Sequence, residues 1–204
     1  MTDSRTHPQI YFFCQYHTFS QYEHSEFTGK IPEFIVTDFP DKEYKFTCCE
    51  QWMMFNKAVL FGDTATANMI LKIGNPARIR RMGREVKNFN QKKWDEFKVR
   101  IVERGTYLKF LQNPDMLEHL INTPGIIAEA APWDKVWGIG MPAWHSDSGD
   151  MSKWKGENLL GFTLTKVRDR LKLRGDTVDE IIAACSDLEP SEYGNIPDTL
   201  YQAP

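Results

Sequence analysis

The feature that most constrains the fold is a change of character at Thr47. Residues 9–47 carry short β-prone runs and turn residues. From Thr47 onward the apolar spacing becomes helical. Glu33-Phe34-Ile35-Val36-Thr37 and Glu43-Tyr44-Lys45-Phe46 flank Asp38-Phe39-Pro40-Asp41-Lys42, and the three together read as a β-hairpin. Helices are expected near residues 48–60, 64–73, 76–86, 90–112 and 114–122. Gly62-Asp63 and Gly74-Asn75-Pro76 punctuate them, with Asp63 and Asn75 suited to N-caps. Gly125-Ile126-Ile127-Ala128-Glu129 reads as a short strand, residues 131–155 as a long ordered loop, and 158–173 and 177–186 as two more helices. The expected fold is α+β and predominantly helical, a single compact domain with a small N-terminal β-hairpin region. That domain spans residues 9–174, and 175–204 form a C-terminal helix and extended tail whose last 18 residues attach loosely.

The 204 residues suit one such domain, and the 41% hydrophobic and 26% charged fractions are those of an ordinary globular protein. A net charge of −3 gives no general attraction to nucleic acid or acidic lipid. No apolar run approaches the roughly 20 residues of a membrane span, and the polar start lacks the layout of a signal peptide. A cytoplasmic location without membrane contact is the expectation. Cys48 and Cys49 are adjacent, no CxxC occurs, and the five His are scattered. Neither a disulfide framework nor a structural metal site is expected.

Two charged residues in the first long helix stand out. Thr47-Cys48-Cys49-Glu50 fits a capping box, in which Glu50 would close the helix start. Lys57 follows Glu50 by seven residues, two turns at about 3.6 residues each, so the two share a face across Trp52, Met53 and Met54. Lys57 then either reaches solvent or lies against the apolar stretch, where desolvation would free its amine as a nucleophile. A Glu50 held at a helix N-terminus should keep its charge, which moves the expected proton transfer to Asp134 or bound water.

The second cluster is Glu129-Ala-Ala-Pro-Trp133-Asp134-Lys-Val-Trp137-Gly138-Ile-Gly140. Splitting a glycosidic bond needs help for an oxocarbenium-like centre and an acid or base at the other partner, and carboxylates supply both. Indoles can stack on a base, or simply cap the core. Gly138 and Gly140 would let the backbone approach a phosphate or sugar. Asn158 is a candidate N-cap and Gly161 a close-packing position. Arg168 is open to phosphate or carboxylate. Residues 78–100 are locally basic, as a phosphate site or a solvated face would be.

With these residues in place the chain resembles the NADAR (YbiA-like) family over about residues 11–172. The resemblance rests on CEQWMMFNKAVLFGD, NPARIRRMGREV, KKWDEFKVRIVERGTYLKF with LQNP, the E-x4-D-x2-WG pattern at Glu129, Asp134, Trp137 and Gly138, and G-x-N-x-LG at Gly156, Asn158 and Gly161. It implies a compact, mainly helical α+β domain that hydrolyses an N-glycosidic bond with no metal or other cofactor. The implied small-molecule substrates are phosphorylated ribosylamino-pyrimidine intermediates of riboflavin synthesis, or ADP-ribose attached to guanine, the latter also within nucleic acid. The resemblance places catalytic roles on Glu50, Lys57, Asp134 and Trp137. It places substrate-binding or supporting roles on Arg84, Trp94, Gly138 and Asn158. Departures are Gln51 and Trp52 after the Glu, and Phe19-Ser20-Gln21-Tyr22 where the family has a Phe-x-Asn element. The alternatives are a non-catalytic module that binds ADP-ribose or a related nucleotide, and a nucleic-acid adaptor resting on residues 78–100 alone.

Overall fold

A computed structural model describes residues 9–194. The order is β1 (Ile10–Phe13), β2 (Phe27–Gly29), β3 (Tyr44–Phe46), α1 (Cys49–Leu60), α2 (Thr64–Ile70), α3 (Pro76–Arg84), α4 (Gln91–Leu111), α5 (Pro114–Asn122), β4 (Ile126–Glu129), α6 (Leu159–Lys172) and α7 (Val178–Ser186). The chain is α+β and mainly helical, as its pattern predicts. Asp63 and Asn75 do cap α2 and α3, accepting from the backbone N–H groups of Thr66 and Arg78.

Helix α1 is the hub. Eleven of its twelve residues are buried, and α2, α3 and α4 pack around it. Trp52 is fully buried and donates its indole N–H to the Ile101 carbonyl at 2.7 Å. Gly105 in α4 makes room for that ring, since a Cβ there would stand 2.4 Å from Trp52 Cδ1. Phe27 and Phe46 stack 5.5 Å apart on the other side, and both contact Trp52.

That stack corrects the expected hairpin. β3 pairs antiparallel with Phe27–Gly29, not with residues 33–37. Pairing 44–46 with 27–29 puts two Phe on the Trp52 ring. Residues 33–37 instead run over the surface, with Ile35 buried and Val36 wholly exposed. A second pair, β1 beside β4 and parallel, brings Phe13 opposite Glu129.

At the C-terminal end, α7 sends Ile181 and Cys185 into the main core. Residues 187–194 are not loose. The Arg174 guanidinium donates to the Glu192 and Tyr193 carbonyls, and Tyr193 packs on Tyr107. The remainder of the predicted tail lies outside the described residues. Among those described, no helix is long and apolar enough to cross a membrane.

Gly105→Ala should destabilise the protein by about 1–3 kcal/mol, because the new methyl meets a fully buried indole that has no room to move. Gly149→Ala, with nothing within 4 Å of its Cβ position, should stay within about 0.5 kcal/mol of the parent. Urea unfolding of the two variants checks the contrast.

Candidate active site

One cavity of about 500 Å³, the size of a small-ligand site, opens where α1, α3, the end of β4 and the loop after β1 converge. Glu50, Lys57, Arg84, Trp94, Asp134 and Trp137 all line it. So do Tyr22, Arg80, Glu129 and Trp133.

Glu50 is 3% exposed, and its Oε1 has no hydrogen-bond partner among the described residues. The capping box does not form. Helix α1 begins at Cys49 with Cys48 as an N-cap that offers no side-chain bond. Gln51 takes the local role instead: its Oε1 accepts from Thr47 N and Oγ1, and its amide donates to the Ile70 and Ile73 carbonyls. Glu50 is thereby left to face the cavity, with its backbone N–H bonded to the Gln21 carbonyl. Burial pushes its carboxyl up to about 7, against the pull of Arg80 and with the help of Asp134 and Glu129. Desolvation thus works against the charge that a position at the helix start favours, and moves the Glu50 carboxyl toward neutrality.

Glu129 behaves the same way. It ends β4, its Oε2 lacks a partner, and burial with the nearby Asp134 charge raises it to about 7. Asn158 fixes its backbone, accepting from Glu129 N and donating to Ile127 O. Asn158 starts α6 without capping it and does not line the cavity; it supports the wall from behind. Gly138 likewise packs against the chain itself, since a Cβ there would lie 2.8 Å from the Glu129 carbonyl. The missing Cβ is what lets the backbone pack this closely.

Asp134 Oδ1 accepts from the Val136 and Trp137 N–H groups, which sets the loop, while Oδ2 faces the Arg80 guanidinium at 3.8 Å. Lys57 is half-buried. Its Nζ donates to the Gly83 carbonyl at 2.7 Å and lies over the rings of Phe89 and Trp94. Helix α3 comes this close because residue 83 is glycine: a Cβ would collide with Met54 Sδ. Burial lowers the Lys57 pKa, with Glu50 opposing and Arg84 adding to the shift.

The basic stretch is not one face. Arg80 and Arg84 line the cavity, Lys93 donates to the Leu60 carbonyl, and Lys98 pairs with Asp95. Arg168 holds the Thr123 and Gly125 carbonyls and pairs with Asp169, so it binds this chain and not a phosphate.

Glu129 and Arg80 lie inside motifs quoted for the resemblance but carried no assigned role. Glu129 was visible as the first acid of its motif. Arg80 could have been found from its i, i+4 relation to Arg84. Lys109 had no local signal. It is fully buried and donates to the Thr18 and Ser20 carbonyls, pinning the loop that brings Gln21 and Tyr22 to the cavity.

A mainly helical α+β domain of this kind is also the fold of a solved protein. The NMR structure of the Escherichia coli protein YbiA superposes with a TM-score of 0.59 at 22% identity, over 83% of this chain and 90% of that one, which establishes the shared fold. The NADAR domain profile matches residues 10–172, and the chain belongs to the NADAR family. N-glycosidase R617 of Acanthamoeba polyphaga mimivirus is 43% identical over 126 residues, 61% of this chain and 74% of that protein. Protein irg-1 of Caenorhabditis elegans is 36% identical over 179 residues, 85% of this chain and 84% of that protein. N-glycosidase YbiA of E. coli (strain K12) is 26% identical over 118 residues, 57% and 67% of the two chains.

Between the ordinary carboxyl range near 4.5 and about 7, native Glu50 keeps a proton that the unfolded chain has released. Stability from this group therefore falls as pH rises through that window and stays reduced above it. Glu50→Gln should melt roughly 5 °C above the parent at pH 8, with the gap closing by about pH 4. Equal melting temperatures at pH 8 would contradict the burial of an ionisable Glu50.

Proposed function

We propose that this chain is an N-glycosidase, a hydrolase that breaks the bond between ribose C1 and a base nitrogen. Its substrate is a phosphorylated ribosylamino-pyrimidine of the kind found in riboflavin synthesis, or ADP-ribose joined to guanine, free or in nucleic acid. The observation that carries the reading is two carboxyls, Glu50 and Glu129, both raised to about 7 in one cavity that also holds a depressed lysine. A pocket built only to hold a nucleotide gains nothing from desolvated acids. An acid–base pair working near neutrality does.

Neighbouring carboxyls of this kind release their protons in two steps that belong to the pair. The mechanism places the proton on Glu129 and the charge on Glu50. In the proposed mechanism Glu129, on the Asp134 side, gives its proton to the leaving nitrogen as the C1–N bond breaks. Ionised Glu50 stabilises positive charge at C1. The neutral Lys57 amine attacks C1 and its proton passes through Glu50 to the ring oxygen as the C1–O bond opens to an imine; water then adds to C1 and expels the Lys57 amine, releasing the sugar as its aldehyde. Arg84 holds phosphate oxygens, and Trp137 forms the inner wall against the sugar. Asp134, with one oxygen committed to two backbone N–H groups, keeps the loop in shape and places Arg80.

Glu50→Gln and Glu129→Gln should each lower turnover by about 100-fold or more, measured as release of free base from ADP-ribosylated guanosine and from a ribosylamino-pyrimidine phosphate. Full turnover in both variants would remove the assignment. Borohydride added during turnover should attach the sugar to Lys57 in the parent and leave Lys57→Arg unlabelled by mass spectrometry. A parent enzyme that turns over without any trapped adduct would show that Lys57 holds a hydroxyl instead.

A further inference from the structure

Trp133 is out of place for a tryptophan. Its side chain is 95% exposed, yet it lines the cavity. An indole in water forgoes the burial that stabilises most aromatic residues. The backbone that carries it is nevertheless firmly braced. Ala131 N donates to the Glu129 carbonyl, Asp134 N to the Ala131 carbonyl, and Asp134 Oδ1 accepts from Val136 N and Trp137 N. Pro132 precedes it and restricts the turn further. A braced loop thus holds a flat ring at the mouth of the cavity, with almost no contact from the described residues.

The charges give the cavity a direction. Lys57 Nζ sits at the Gly83 carbonyl over the Phe89 and Trp94 rings, whereas Trp133 shares its loop with Asp134, which faces Arg80. Lys57, Arg84 and the Trp94 ring mark one end, where the two cations suit a sugar phosphate, while Arg80 at the other end is paired with Asp134. The Glu129–Asp134 end carries Trp133.

We propose that the Trp133 indole is a stacking platform for the base of the substrate, so that the base lies at the Glu129 end of the cavity and the sugar phosphate at the Lys57 end. The proposal rests on the N-glycosidase reading for the name "leaving base", but the stacking itself can be measured without any hydrolysis. A base on this platform keeps its face on the indole while its glycosidic nitrogen points inward toward Glu129. Trp137, half-buried and packed on the core, has no free face of this kind.

The test is equilibrium binding of two probes, guanosine 5′-monophosphate and ribose 5-phosphate, to the full chain by calorimetry. The parent should prefer the nucleotide by about tenfold, the increment of one base–aromatic stack. Trp133→Ala should erase that preference while leaving ribose 5-phosphate binding unchanged. Trp133→Phe should keep most of it. For a hydrolysed substrate, Trp133→Ala should raise KM by a similar factor with kcat within about twofold. A parent with no preference for the nucleotide, or a Trp133→Ala variant that retains it, overturns the proposal. If the preference behaves as expected and no base is released from any N-glycoside tried, the stacking site stands and the proposed activity falls.

Discussion

Helix α1 has almost no solvent-facing side, and the rest of the structure depends on that. A helix wrapped by neighbours on every face desolvates whatever it carries. Trp52, Met53, Phe55 and Val59 are stabilised by this burial. Glu50 is not, and its unpartnered oxygen is tolerable only because the cavity opens against it. The fold thus holds a carboxyl in an environment that disfavours its charge, which costs stability and produces a proton donor or acceptor near neutral pH.

The remaining parts of the site follow from supports that sit one step behind it. Gln51 relieves Glu50 of capping. Asn158 clamps the β4 backbone so that Glu129 ends where it does. Gly83 lets α3 approach α1 until its carbonyl can receive Lys57. Buried Lys109 secures the loop whose Gln21 carbonyl receives the Glu50 N–H. Each support is a hydrogen bond or a close approach between segments far apart in sequence.

That distance in sequence explains what could be read in advance. The helices were legible because periodicity and caps such as Asp63 and Asn75 are local. Glu50 and Lys57 could be placed on one face by counting turns. The state of Glu50 could not, since S/T-x-x-E describes a cap equally well, and only Gln51's reach to Ile70 and Ile73 decides between the readings. The hairpin was misread because residues 33–37 have strand composition, while the choice of Phe27–Gly29 as partner depends on the Trp52 ring across the core. The close approach of Gly138 to the Glu129 carbonyl is likewise set by the fold of the loop, and nothing local announces it.

The most direct measurement is a carbon-detected NMR titration of the glutamate side-chain carboxyls in the free protein, with Glu50→Gln and Glu129→Gln used for assignment. Two carboxyls should titrate around pH 7, and Glu129→Gln should lower the Glu50 transition. If every glutamate instead titrates in the ordinary range near 4.5, the cavity does not hold the desolvated acid pair from which the chemistry was derived.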